Sequence, residues 1–265
     1  MDDLAAVYAA LAQASAEGKP CALATVLSTY GSIPRHAGAK MLVYADRTLV
    51  GTVGGGAMES RVVALCQEVM LIGKPCIETF TLNNVEQGDV GICGGTAQIF
   101  IEPIQQSPSL IVIGGGHVGK ALAELGLWMG FRVTLVDDRP EFANDTYIPN
   151  LHRYIVCKPA EVTQKLTLDQ HSYVCAVTRG LPVDLPLLPS LLATNAAYIG
   201  LIGSKRRWAI TSKALREQHQ VSEADLARIH SPIGLEIGAE TPREIALSIL
   251  SEITLLRRKN NANVE

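Results

Sequence analysis

The stretch "LIVIGGGHVGKALAELGLWMGFRVTLVDDR", residues 110–139, limits the fold more than any other part of the chain. An apolar run leads into Gly114, Gly116 and Gly119, spaced GxGxxG, and a helical pattern follows. A second apolar run then ends on Asp137. Strand, glycine turn, helix, strand and acid, in that order, form the opening unit of a dinucleotide-binding doubly wound sheet. The glycines permit a tight turn and close backbone approach, and the helix start offers free N–H groups to a phosphate. His117 lies inside the turn, where it either contacts a ligand or packs the loop. Asp137 falls where an acid takes a ribose 2′-hydroxyl, an arrangement that suits NAD and disfavours the extra phosphate of NADP.

From residue 106 onward strand and helix patterns alternate. The runs "LIVIG", "RVTLVD", "HRYIVC", "SYVCAVT" and "AYIGLIG" predict a doubly wound, Rossmann-like parallel sheet. Such sheets bind ligands at the carboxyl ends of their strands. Arg179 ends one strand there, and Ser204, Lys205, Arg206 and Arg207 end another while opening a helix. A helix start with three cations is either an anion site or a solvated basic turn. Near the end of the chain Thr241, Pro242 and Glu244 form an N-cap, a first helical residue and a capping-box partner. Tyr154 and Lys158 have the spacing of a reductase acid–base pair, but "HRYIVCK" reads as a strand, which holds residues four apart too far from each other. With no other acid–base set in view, an NAD-dependent oxidoreductase and an NAD-sensing regulatory module stand as alternative functions.

Residues 1–105 read as a smaller α+β domain, and residues 106–265 as the Rossmann-like one. A helix over 3–17, a strand at "CALATVLST", a hairpin at "KMLVYADRTLVGTVGG", a helix at "AMESRVVALCQEVMLI" and two further strands make up the first. Gly54, Gly55 and Gly56 join a strand to that second helix and can admit a phosphate or a flat ring against the backbone. Glu59, in the first helical turn, either complements the helix dipole or accepts hydrogen bonds from the donor edge of a pterin-like ring. The sequence "GICGG" sets Cys93 among Gly91, Gly94 and Gly95. Amides beside a thiol on a glycine loop favour thiolate, which is a nucleophile or a ligand for a soft metal. The plainer reading is a small residue in a tight turn.

The chain has 265 residues, a formal net charge of -3 and no basic footprint for nucleic acid. No apolar run approaches the ~18 residues of a membrane helix. The start, "MDDLAAVYAALAQ", is acidic where a signal peptide is basic. A cytoplasmic protein without nucleic-acid or membrane partners is expected. None of the six cysteines forms a CxxC pair. Cys21, Cys157 and Cys175 lie in apolar runs and read as inert core residues.

The blocks "ATVLSTYGSIPRHAGAKMLVYADRTLVGTVGGGAMES", "GICGGTAQIFIEP", "IVIGGGHVGKALAELGLWMGFRVTLVDDRPEFAN", "VTRGLPVDLPLL", "YIGLIGSKRRW" and "GLEIGAETPREIALSILSEI" together resemble the XdhC/CoxI family, the xanthine dehydrogenase accessory factors. The resemblance runs in order over nearly the whole chain. It implies a small N-terminal domain followed by a Rossmann domain. It further implies binding of molybdenum cofactor (molybdopterin), support for its sulfuration by a cysteine desulfurase, and delivery to apo xanthine dehydrogenase or a related molybdenum hydroxylase. On that reading the protein is a chaperone-like carrier more than an enzyme. Cys93 becomes the candidate contact for molybdenum or its transferable sulfur, with Gly54, Gly55, Gly56, Glu59, Gly94 and Gly95 around the pterin. Gly114, Gly116, His117, Gly119, Asp137, Arg179, Ser204 and Lys205 remain the candidate nucleotide or phosphate set. The family pattern carries two adjacent cysteines before the glycine pair, whereas Ile92 precedes Cys93 here, which leaves one candidate thiol. A homodimer is expected, because a small sheet must cover its edges.

Overall fold

Alternate residues of the first strand are buried on both faces, so this strand needs cover on two sides. Ala22, Ala24 and Val26 belong to one cluster, and Cys21 and Leu23 to the other. The computed structural model, which describes residues 3–81, 95–104 and 107–262, supplies both covers. The chain divides into two compact units, Met1–Gln106 and Ser107–Glu265.

In the first unit, α1 (Asp3–Glu17) lays Val7 and Ala14 on the Cys21/Leu23 face of β1 (Cys21–Tyr30). Strands β2 (Lys40–Tyr44) and β3 (Leu49–Gly51) form the expected hairpin. Helix α2 (Gly56–Ile72) then covers the opposite face with Met58, Val62, Cys66 and Val69. Strands β4 (Cys76–Thr81) and β5 (Thr96–Ile104) complete an antiparallel sheet of order β3-β2-β1-β5-β4. This topology gathers several chain ends. Tyr30 of β1 pairs with Thr96 of β5, which pairs with Thr81 of β4. Lys40 opens β2, and Gly51 closes β3 beside Met41. The loop 31–39, the glycine turn 52–55 and the connection from β4 to β5 all leave from this one end of the sheet.

The second unit begins with β6 (Ser109–Ile113), α3 (His117–Trp128), β7 (Arg132–Asp137) and β8 (Arg153–Val156). It continues through α4 (Val162–Lys165), β9 (Ser172–Ala176), α5 (Leu181–Leu192) and β10 (Tyr198–Leu201). Helices α6 (Lys205–His219) and α7 (Glu223–Leu226), β11 (Ile229–His230) and α8 (Pro242–Ala262) close it. The six strands are all parallel, in the order β11-β10-β9-β6-β7-β8. This is the α/β, doubly wound Rossmann order, in which the winding reverses between β6 and β9. One face of the sheet buries Leu187, Leu188 and Leu191 of α5 and Leu215 of α6. The other buries Leu122 of α3 and Ile249, Leu250 and Ile253 of α8. The five strands read from sequence are present, and the two-residue β11 is added. The capping box of α8 forms as expected: Glu244 N–H donates to Thr241 Oγ1 at 3.3 Å, and Thr241 N–H donates to Glu244 Oε2 at 2.8 Å.

Candidate functional site

The glycine turn of the first unit is built around one carboxylate. Gly54, Gly55 and Gly56 have φ of 142°, 78° and 65°, backbone that side chains with a Cβ rarely adopt. Glu59 Oε2 accepts from the Thr52 hydroxyl, from Val53 N–H at 3.3 Å and from Gly55 N–H at 3.1 Å. Thr52 Oγ1 in turn accepts from Gly54 N–H at 3.1 Å. Glu59 therefore holds the turn that precedes its own helix, a role the dipole argument does not describe. A Cβ added at Gly55 or Gly56 would meet nothing within 4 Å, so the outer surface of the turn is open. Gly55, as N-cap of α2, brings no side chain to the first-turn amides.

Gly95 has a different character. A Cβ there would lie 2.5 Å from Ile33 Cγ1 and 2.6 Å from Ser32 O, so the glycine lets the start of β5 pass against loop 31–39. Cys93 and Gly94 lie outside the described residues. The five described cysteines are all free. Burial pushes the Cys66 thiol up to about 12, with Cys76 adding to the effect. Burial likewise raises Cys21, Cys76, Cys157 and Cys175. These five favour the thiol form, which makes them poor nucleophiles and poor metal ligands. Among the described residues no group of three or more His, Cys, Asp or Glu side chains could hold a metal ion.

In the second unit a pocket of about 70 Å³ opens at the switch point between β6 and β9. Its lining includes Gly114, Gly116, Asp137, Arg139, Thr178 and Arg179. The three motif glycines divide the work. A Cβ on Gly119 would lie 1.8 Å from Gly114 O, and one on Gly114 would lie 2.6 Å from Val177 O, so both are needed for close packing. Gly116 has nothing within 4 Å and faces open space. His117 opens α3 and is exposed.

Asp137 is 3% exposed. Its Oδ2 accepts from Gly115 N–H at 2.7 Å and Arg139 Nη2 at 3.0 Å. Its Oδ1 accepts from Arg139 N–H at 3.0 Å and Nε at 2.9 Å. Burial alone would raise this carboxyl, but the bonds from Arg139 and Gly115 outweigh it and hold the group down to about 2. Beside it, Arg179 Nη2 reaches both oxygens of Asp138, at 2.8 and 2.6 Å. Ser204 caps α6 by accepting from Arg207 N–H at 3.1 Å, while exposed Lys205 pairs with Glu236 at 2.8 Å. Neither Ser204 nor Lys205 lines the pocket.

Two clusters are not legible in the sequence, because their members are far apart in the chain. Asp184, fully buried at the start of α5, takes Arg207 Nη2 at 2.5 Å and the Thr178 hydroxyl, tying α5 and α6 to the end of β9. Glu252 of α8 meets His230 Nδ1 at 2.8 Å, Tyr198 OH at 2.6 Å and Gly234 N–H at 2.7 Å. Burial pushes Glu252 up, yet those partners bring it below its ordinary value. Tyr154, which its strand setting separates from Lys158, donates its hydroxyl to Ile148 O at 2.5 Å and is a loop anchor.

These features define a Rossmann domain joined to an α+β unit with an open glycine turn. Comparison with known proteins narrows the class. Residues 110–253 match the model of the XdhC Rossmann domain, and residues 14–81 match that of the XdhC and CoxI family. The chain belongs to the XdhC/CoxI family. It is 33% identical to YqeB of Escherichia coli over 97% of this chain and 47% of that protein. A probable xanthine dehydrogenase component of Bacillus subtilis is 32% identical, over 62% of this chain and 47% of its own length. The molybdenum cofactor insertion chaperone PaoD of Escherichia coli is 22% identical over 97% of this chain and 89% of its own length. The chain thus spans about half the length of the first two relatives. A Bacillus halodurans crystal structure described as a xanthine dehydrogenase shares the fold, with a TM-score of 0.51 at 22% identity over 98% of this chain and 96% of that one. Among the described residues no helix is long and apolar enough to cross a membrane.

Proposed function

We propose that this protein is a maturation factor that carries molybdenum cofactor to xanthine dehydrogenase or a related molybdenum hydroxylase. Its family membership and the role of PaoD as an insertion chaperone support the class. One structural observation supports a cargo site: the glycine turn leaves the same end of the first sheet as Thr81, which ends β4, and Thr96, which opens β5. Gly95 packs on loop 31–39. Cys93 precedes Gly95 by two residues in the sequence, and that connectivity supports its assignment to this site.

The chemistry of the cargo suits what is there. A pterin needs a flat approach and hydrogen-bonding groups, and the turn over Gly55 and Gly56 is open. A molybdenum-bound sulfur needs a soft partner, for which Cys93 is the candidate thiolate. Sulfuration then requires a cysteine desulfurase as a second partner, and the open edges at β3 and β4 support a homodimer. Glu59 serves this site by fixing the turn through Oε2. Loss of cofactor affinity in Glu59→Gln, measured by titration with purified cofactor, is the expected result; unchanged affinity removes the turn from the site.

A further inference from the structure

The pocket at the β6/β9 switch point is not explained by the cargo reading and does not depend on it. In a dinucleotide site of this topology an acid at the end of the second strand accepts the adenosine ribose hydroxyls. Asp137 occupies that position, but both its oxygens are already engaged. Four donors reach it: Gly115 N–H, Arg139 N–H, Arg139 Nε and Arg139 Nη2. A carboxylate offers about four acceptor sites. A ribose 2′-hydroxyl would have to displace the guanidinium from an ionised, buried partner. The second acid, Asp138, is bridged by Arg179 through both oxygens.

The group that remains for a ligand is Arg139 itself. Its Nε and Nη2 edge is pinned by Asp137, and one face lies over the Phe142 ring, with Cζ 3.9 Å from the centroid. The guanidinium is therefore fixed in direction while still 30% exposed at the pocket. Nη1 makes no hydrogen bond among the described residues. A planar fork held in this way is suited to a phosphate, and its stacked orientation favours an adenine ring alongside. At the other end of the pocket, open Gly116 and the start of α3 suit a diphosphate.

We propose that this pocket binds a dinucleotide bearing a phosphate on the adenosine ribose 2′ position, of the NADP class, in preference to NAD, and that Arg139 reads that phosphate. The expectation from Asp137 alone is the reverse. Arg139 sits two residues beyond that acid and, by occupying it, exchanges an acceptor for a donor.

Isothermal titration of the full chain with NADP+ and with NAD+, at one fixed ionic strength, tests this. The expected result is NADP+ binding at least about tenfold tighter, the scale of a charge-assisted phosphate contact. Adenosine 2′,5′-bisphosphate should compete for the same site. In Arg139→Ala the difference between the two dinucleotides should vanish. Equal or tighter binding of NAD+, no binding of either at millimolar concentration, or a folded Arg139→Ala variant that keeps the preference would each overturn the proposal. If that variant fails to fold, the wild-type comparison decides the matter alone. None of these titrations involves molybdenum cofactor, so the carrier role stands or falls separately.

Discussion

Asp137 ties a buried charge to the fold of the second unit. Its folded value of about 2 lies below its ordinary 3.8. The sign follows: a depressed carboxyl stabilises the protein above the ordinary value, and that stabilisation is lost as pH falls through the folded one. Asp137→Asn is expected to cost about 2 kcal/mol near pH 7 and almost nothing near pH 2, read from denaturant midpoints across that range. Cys93 is proposed to serve chemistry and not stability. Cys93→Ser should abolish activation of the client enzyme and leave the thermal midpoint unchanged. Full activation by that variant would remove the thiol from the mechanism. The five described thiols are raised by burial and cannot take its place readily.

The glycine elements separate packing from binding. Gly119→Ala forces a Cβ to 1.8 Å from a backbone oxygen and should destabilise the second unit by several kcal/mol. Gly116→Ala has open space and should fold normally while weakening dinucleotide binding. Thermal melting paired with titration distinguishes the two outcomes, and equal effects on stability would contradict the division. The sequence made this turn legible, because GxGxxG between two apolar runs has few structural solutions. It did not make α5 legible. That helix carries Pro182 in its first turn and Pro186 and Pro189 inside. An interior proline costs roughly 3 kcal/mol. Burial of Leu187, Leu188, Leu191 and Leu192 outweighs this, at about 1.5–3 kcal/mol each. Leu188→Ala should therefore cost about 2–5 kcal/mol, read by chemical denaturation. The anchoring roles of Glu59, Asp184 and Glu252 were hidden for a related reason. A carboxylate's partners are set by chain geometry, and those of Glu252 lie 18 to 54 residues away.

Across the whole chain there are two compact units, with a separate proposal for each. The first has an open glycine turn, proposed above as part of the site for a labile, phosphorylated metal compound. The second has a pocket in which Arg139 engages Asp137, proposed above to bind a 2′-phosphorylated dinucleotide. Anaerobic copurification from cells that synthesise molybdenum cofactor tests the proposed carrier role. A carrier should emerge with molybdenum and a pterin phosphate in near-equal amounts on the wild-type protein, and the metal content should fall in Cys93→Ser. Wild-type protein that emerges with neither, from cells in which the cofactor is abundant, would contradict that role.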